Sequence, residues 1–339
     1  MDVIRTDFTV TTDDGVTIAV REVRPDGPAP RVPMVLLHGT TIPGLSEFDL
    51  PVPGGSLAED LARKGHVCYI PDARGFGRSE RPAEMEEEPL GQKPLVRTIE
   101  ITRDLDAVVD HLRDATGQKQ VGILGWGVGA TCAAMLASLR PEKVSHLVLY
   151  VVVYGGVGGH RMFRDTERWD DPAHPYRLNP ENFGGYKFNV LAGLEGHWNR
   201  QIPVEDKDSW RDPAMLRAFQ QALLDGDPTS GTRQPPSYRS PNGMLEDLHL
   251  MAGHGQRLFH AGQVSARVMI VLPEYDDLAR KEDIDVLVED LCHAQEIDLW
   301  EPEGTTHYLL LDRPERGRDA FLERLDGFLA PADTIPYIV

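Results

Sequence analysis

The sequence predicts an α/β fold built on a mostly parallel, doubly wound sheet. Short continuous apolar runs recur along the chain, and runs of this kind are typical of buried parallel strands. Segments with apolar residues at helical spacing separate them, so strands and helices alternate. The alternation stops near residue 155 and resumes near residue 266. We therefore predict a core formed by residues 1–154 and 262–339, with residues 155–261 as an inserted, largely helical cap.

Composition limits the possible partners. The 339 residues include 54 acidic and 35 basic side chains, and the net charge of −19 argues against nucleic acid or an anionic membrane. The N-terminal sequence lacks the features of a signal peptide, and no apolar run reaches membrane-spanning length. We expect a cytoplasmic protein that acts on a small molecule, and the sequence is compatible with a homodimer. Cys68, Cys132 and Cys292 lie in apolar segments and are predicted to be buried free thiols.

The first third of the chain contains the signals of four strands, two helices and a glycine-rich loop. Asp13-Asp14-Gly15 separates two alternating segments and predicts a hairpin. A capping box begins at Ser56 and predicts a helix start, and the apolar spacing from Thr98 to Leu112 predicts a longer helix. The remaining signals are a strand over Pro33–Leu37 that ends in His38-Gly39, a strand over Val67–Ile70, and the loop DARGFGRSE from Asp72 to Glu80.

A strand that turns sharply into a helix is predicted between Val121 and Leu139. The stretch begins as an apolar run, passes through Gly125, Gly127 and Gly129, and continues with small apolar residues. Glycine is needed where the backbone takes positive φ and where helix and strand nearly touch. The sequence therefore predicts a tight elbow with Gly127 at its tip.

The second half of the core is predicted from three further apolar runs, at Val144–Val153, Ala266–Leu272 and Glu296–Trp300. Between the first two, Asp212 is the N-cap of a clear helix in an otherwise irregular stretch. Asp276 follows the second run and His307 follows the third.

This ordered set of motifs resembles that of the α/β-hydrolases. The match comprises H-G at residues 38–39, D-x-R-G-x-G-x-S at 72–79, the elbow, and an acid and a histidine after late strands. The resemblance implies a nucleophile elbow with Gly127 where the family has serine. It also implies His307 as base and Asp276 as its acid, with Asp277 the weaker choice, whereas Ser79 is structural. The backbone N–H groups of Thr40 and Val128 are the implied oxyanion hole, with Thr41 a second choice for Thr40.

The resemblance also implies a cap over the active site. An apolar or aromatic substrate is expected to contact residues near the elbow and aromatic residues of the cap, although most cap aromatics only hold the cap together. We predict neither cofactor nor metal, because His160, His174 and His197 lack metal-ligand spacing. The predicted substrate-binding residues are Trp126, His38, Thr41, Trp169 and Trp198.

Gly127 leaves three hypotheses open, because glycine has no side chain to attack a substrate. The chain is a Ser→Gly variant of an esterase or lactonase; or the His307–Asp276 dyad performs non-covalent chemistry; or the protein only binds a ligand. The second hypothesis includes lyase, isomerase or cyclase reactions of secondary metabolism, and resembles the cofactor-free α/β-fold oxygenases. The third resembles the N-myc downstream-regulated proteins. A retained base and its orienting acid favour an enzyme, and Cys132 lies too far into the helix to replace serine.

Overall fold

An eight-stranded sheet forms the centre of the protein. A computed structural model describes residues 2–330. The strand order is β1-β2-β4-β3-β5-β6-β11-β12; β2 pairs antiparallel with both neighbours, and all pairs from β4 to β12 are parallel. The strands along the chain are β1 (Val3–Thr11), β2 (Thr17–Pro25), β3 (Met34–Leu37), β4 (Cys68–Pro71), β5 (Val121–Trp126), β6 (Val144–Tyr150), β7 (Asp170–Asp171), β8 (His174–Leu178), β9 (Tyr186–Val190), β10 (Ser237–Pro241), β11 (Arg267–Val271) and β12 (Glu296–Trp300).

Helices cover both faces of this sheet. Successive strand residues point to opposite faces, so Val35 and Leu37 join one hydrophobic cluster while Met34 and Leu36 join the other. Helices α3, α4 and α9 contribute to the first cluster, and α2 and α10 to the second. The helices are α1 (Gly44–Phe48), α2 (Leu57–Arg63), α3 (Thr98–Thr116), α4 (Val128–Leu139), α5 (Thr166–Trp169), α6 (Leu191–Gln201), α7 (Pro213–Asp225), α8 (Gly243–Leu248), α9 (Lys281–Asp290) and α10 (Arg318–Phe328).

The glycines between β5 and α4 are required by close backbone approach. A Cβ on Gly125 would lie 2.5 Å from the backbone of Ala130, and one on Gly129 would overlap the carbonyl oxygen of His38. Gly127 has φ +60° and ψ −123°, a conformation that side-chain-bearing residues adopt only under strain. The predicted elbow is therefore present.

Within residues 2–330 the large sheet takes no strand from residues 155–261. That segment forms two small antiparallel sheets, β7 with β8 and β9 with β10, together with helices α5 to α8. No helix in the same described range is both long and apolar enough to cross a membrane. The division into core and cap stays a prediction, and its last nine residues, 331–339, lie outside the described range.

Two sequence predictions need correction. Strand β6 ends at Tyr150, before the predicted Val153, because Val151 has φ +48° and turns the chain out of the sheet. Cys68 and Cys132 are buried thiols, but Cys292 is exposed, since it lies just beyond α9 where the chain passes over the surface. The other predicted strands and helices of the core are confirmed to within a few residues.

Candidate active site

A cavity of about 450 Å³ lies beside the tip of the elbow. Loops after β3, β5 and β11, and the loop after β12, contribute to its wall together with residues from the 155–261 segment. A larger surface groove of about 840 Å³ lies elsewhere and contains none of the predicted site residues. Predicted residues on the cavity wall are Thr40, Thr41, Trp126, Gly127 and His307.

His307 and Asp276 form a hydrogen-bonded pair at this cavity. The distance from His307 Nδ1 to Asp276 Oδ1 is 2.9 Å, and the Asp276 side chain is fully buried. Backbone N–H groups of Leu278 and Ala279 also donate to the Asp276 carboxylate. On the other side, Gln201 accepts from the backbone N–H of His307. The structure thus brings the predicted base and acid together and holds both of them in place.

The indole N–H of Trp126 donates a hydrogen bond to the other ring nitrogen of His307. Trp126 Nε1 lies 3.0 Å from His307 Nε2. Because an indole N–H can only donate, Nε2 must carry a lone pair, and the proton of the neutral ring is on Nδ1, facing Asp276. Trp126 is buried and packs edge-on against Tyr150. His307 is therefore in the tautomer of a general base, with its basic nitrogen engaged by the residue before Gly127.

The elbow leaves open space where a nucleophile would stand. A Cβ added to Gly127 would meet no atom within 4 Å outside the two adjoining residues. Val128 is the first residue of α4, so its N–H has no carbonyl of a preceding helical turn to bond. Among the described residues neither this N–H nor that of Thr40 donates to a protein acceptor. Both N–H groups therefore remain available to an oxygen of a bound molecule.

A second histidine–aspartate pair borders the same cavity. His197 Nε2 lies 2.7 Å from Asp277 Oδ1, and the His197 and His307 rings are 5.4 Å apart. Burial alone would raise the pKa of Asp277, but the His197 imidazole beside it lowers that pKa to about 2. Asp277 therefore serves His197 and not His307. Sequence reasoning missed His197, since no motif connects it to the residue 80 positions later.

Three basic side chains, those of Arg161, Lys187 and Arg200, also line the cavity, in a chain whose net charge is −19. Arg161 lies 3.6 Å from the Asp277 carboxylate. Lys187 forms no ion pair with a carboxylate in the described part of the chain, and burial lowers its pKa to about 8. Glu47 is buried on the same wall and accepts a hydrogen bond from the backbone N–H of Gly39. Burial raises the pKa of Glu47 well above its ordinary value, because the charged carboxylate is poorly solvated there. Among the described lining residues, the three basic side chains outnumber the two carboxyl side chains, those of Glu47 and Asp277, and this balance favours an anionic ligand.

Three residues predicted to bind substrate do not reach the cavity. His38 is fully buried, and its Nε2 accepts a hydrogen bond from the Ala73 N–H. The ring therefore connects the loop after β3 to the loop after β4 and does not face the cavity. Trp169 stacks on Phe183 inside the 155–261 segment. Trp198 is buried behind Tyr308, 4.6 Å away ring to ring, so it supports the wall without lining it. The prediction that these three residues contact the substrate is therefore wrong, because none of them lines the cavity.

One group of side chains in the described residues could hold a metal ion, and the sequence analysis did not find it. Asp170, His249 and His254 place their ligand atoms within 4.8 Å of one another. None of the three histidines considered from the sequence belongs to it. The group lies outside the cavity, although the neighbouring Leu248 lines it.

Comparisons with known proteins agree with this architecture. Residues 32–183 match the family model of the alpha/beta hydrolase fold. A segment of 73 residues is 40% identical to the poly(3-hydroxyalkanoate) polymerase subunit PhaC of Haloferax mediterranei, and covers 21% of this chain and 14% of that protein. A segment of 149 residues is 25% identical to Lipase member K of Homo sapiens, and covers 42% of this chain and 37% of that protein. The chain thus matches well under half the length of these relatives.

Solved structures extend the likeness to almost the whole chain. The naproxen esterase (carboxylesterase NP) of Bacillus subtilis superposes with a TM-score of 0.58 over 95% of this chain and 92% of that one, at 14% sequence identity. An identity this low shows the fold alone. Together with the sheet order and the elbow, these comparisons confirm the predicted likeness to the α/β-hydrolase superfamily: this chain has the α/β-hydrolase fold.

Proposed function

We propose that this protein is a hydrolase-type enzyme that uses the His307–Asp276 dyad as a general base without a covalent nucleophile. The observation that carries the proposal is the intact dyad beside an elbow whose tip is glycine. The Asp276 side chain is fully buried and hydrogen-bonded to His307 Nδ1, and the space beside Gly127 is open. A base held in this way is valuable for proton transfer, which contributes typically about 10²–10⁴ in rate.

In this proposal, residues 155–261 cap the site and a water molecule takes the place of the missing hydroxyl. His307 Nε2 removes a proton from that water as it attacks a carbonyl carbon, and Asp276 stabilises the imidazolium that forms. When the tetrahedral intermediate collapses, the bond from the carbonyl carbon to the leaving group breaks, and the imidazolium returns the proton to the leaving group. The Val128 and Thr40 N–H groups stabilise the oxyanion, since charge develops near the start of α4. The same base could abstract a proton directly from a substrate carbon, which gives the lyase, isomerase or cyclase alternative.

The basic side chains indicate the class of substrate. Lys187, Arg161 and Arg200 surround a cavity whose wall also carries Leu194, Leu245 and Leu248. A molecule with an apolar body and a terminal carboxylate fits this combination. The volume of about 450 Å³ suits a small to medium metabolite. We propose an acidic ester, thioester or amide of this size as the substrate.

Steady-state hydrolysis of mono(para-nitrophenyl) glutarate tests the proposal. We expect turnover above background that falls by about 10²–10⁴ in His307→Gln, because this variant keeps the shape of the site but loses the base. His146→Gln is the matched control: His146 lies at the far end of β6 and takes no part in the cavity. Equal rates for the chain and His307→Gln would refute general-base catalysis.

A binding function is the second candidate, and the Trp126–His307 hydrogen bond favours it. A base whose lone pair already accepts an N–H at 3.0 Å is less available for proton transfer. If the protein only binds, anionic aryl compounds will bind saturably and with the same affinity to the chain and to His307→Gln, and neither will turn over the ester. This pattern distinguishes the two candidates in a single set of measurements.

A further inference from the structure

A cluster of three side chains from two distant parts of the chain lies behind one wall of the cavity. His249 Nε2 is 2.8 Å from Asp170 Oδ1 and 3.2 Å from His254 Nε2, and His254 Nε2 is 3.5 Å from Asp170 Oδ1. Two imidazole nitrogens and one carboxylate oxygen therefore converge on a single point. The cluster is separate from the dyad and plays no part in the proposed function.

The backbone brings the two histidines together by an unusual turn. Residues His249–Gly253 form a π-helical turn directly after α8, and His254 ends it. In an α-helix, residues five apart point in different directions; the wider π turn returns the fifth residue to nearly the same face. Gly253 lets the turn pack closely, since a Cβ there would lie 3.3 Å from the His249 ring. Such π turns occur frequently at functional sites.

Hydrogen bonding within the protein does not use the cluster fully. His249 Nε2–H can donate to Asp170, but the lone pair of His254 Nε2 then faces the same N–H, so one proton serves two acceptor atoms. A cation at the centre would satisfy all three atoms at once.

We propose that Asp170, His249 and His254 bind a divalent transition-metal ion, with Zn²⁺ as the preferred ion. Zinc ligands at about 2.1 Å in tetrahedral geometry lie about 3.4 Å from one another. The distances of 3.2 and 3.5 Å are close to this value, and the His249–Asp170 pair at 2.8 Å would open by about 0.6 Å on binding. Two imidazole ligands favour Zn²⁺ over Mg²⁺ or Ca²⁺. Asp170 and His254 are partly exposed, with side chains 17% and 21% accessible, so water can supply the fourth ligand.

The bound ion would join β7 to the π turn and so stabilise the wall of the cavity. The His254 backbone already pairs with Gly158, and the His160 N–H donates to the Ala252 carbonyl. These bonds connect the π turn to residues 160–162, which line the cavity. His249 Nδ1 has no partner within the described residues. An unsupported ligand typically weakens metal affinity about 10–100-fold, so we expect micromolar binding.

Titration of the tag-free, chelator-treated full chain with Zn²⁺ and Co²⁺ tests the proposal. We expect one ion per chain by calorimetry, and visible Co²⁺ absorption bands of a four- or five-coordinate site. His254→Ala and the isosteric Asp170→Asn should each lower the affinity at least about tenfold. His174→Ala is the matched control, since this exposed histidine lies in the neighbouring strand β8.

Two results would overturn the metal site. One is the absence of stoichiometric binding by the folded chain, and the other is binding that His254→Ala and Asp170→Asn leave unchanged. Circular dichroism of each variant checks that the fold is retained. Since the readout is metal binding and not catalysis, its outcome is independent of the role of His307.

Discussion

Restoring a serine at the elbow should convert this protein into an esterase that works through an acyl-enzyme. In Gly127→Ser the new Cβ enters space that is free of other atoms within 4 Å outside the adjoining residues. Its hydroxyl would then project into the cavity that His307 also lines. The backbone at φ +60° already has the strained elbow conformation, so the variant should fold at a cost of about 1–3 kcal/mol in stability.

The size of the gain in rate depends on two terms: the rate that a serine nucleophile adds, and the rate lost because the Trp126–His307 hydrogen bond must break. In a complete triad, loss of the serine costs about 10⁴–10⁶ in rate. The Trp126 N–H, 3.0 Å from His307 Nε2, must give way to the hydroxyl. Breaking one such bond costs about 1 kcal/mol, or about fivefold in rate. We therefore expect Gly127→Ser to gain about 10³–10⁵ in esterase activity.

A fluorophosphonate probe with intact-mass detection measures this directly, because it labels only activated nucleophiles. The unmodified chain and Gly127→Ala should remain unlabelled at position 127, and Gly127→Ser should be labelled at that residue. The double variant Gly127→Ser/His307→Gln should react at least about 100-fold more slowly. Equal labelling of the single and double variants, or no labelling of either, would refute the assembled-triad reasoning.

Three further predictions concern the surroundings of the dyad. Trp126→Phe removes the N–H that engages His307, so His307-dependent ester hydrolysis should rise several-fold; a loss of more than about tenfold would mean that the indole positions the ring. The preference of the enzyme for mono(para-nitrophenyl) glutarate over the neutral valerate ester should fall as the pH rises through about 8, because Lys187 loses its charge there. Lys187→Met should abolish this pH dependence. If the pH dependence is the same in Lys187→Met, Lys187 takes no part in substrate recognition. Burial raises the pKa of Asp312 to about 6, so the folded state binds the extra proton and stability falls as the pH rises from about 4 to about 6, by up to about 3 kcal/mol. Urea unfolding should show this fall reduced in Asp312→Asn but not in the exposed control Asp319→Asn.

The fold and the dyad were both accessible from the sequence, for related physical reasons. Buried parallel strands are continuous apolar runs, and the loops after them meet at one edge of the sheet. Asp276 and His307 each follow such a run, and the resemblance to the α/β-hydrolases predicts their pairing, which the structure shows at 2.9 Å. Close backbone packing at Gly125 and Gly129 left a similarly clear signal, because only glycine fits there.

Residues whose position depends on long-range packing could not be predicted. His38 stands in a motif next to the elbow, but its ring points into the core because the Ala73 N–H needs an acceptor. Lys187 reaches the cavity from β9 and Glu47 reaches it from α1. No local sequence pattern predicts that these two elements lie beside the cavity. Asp170 meets His249 and His254 across about 80 residues and through a π turn, which the sequence does not signal.

The central claim, base catalysis without a covalent intermediate, is tested most directly by the pre-steady-state release of para-nitrophenolate from the glutarate ester by the unmodified chain. The account predicts that release is linear from the first turnover and that the mass of the protein does not change. It also predicts that the rate collapses in His307→Gln. A burst of one equivalent of nitrophenolate, accompanied by an acyl adduct on the protein, would contradict it, because another side chain would then be acting as the nucleophile.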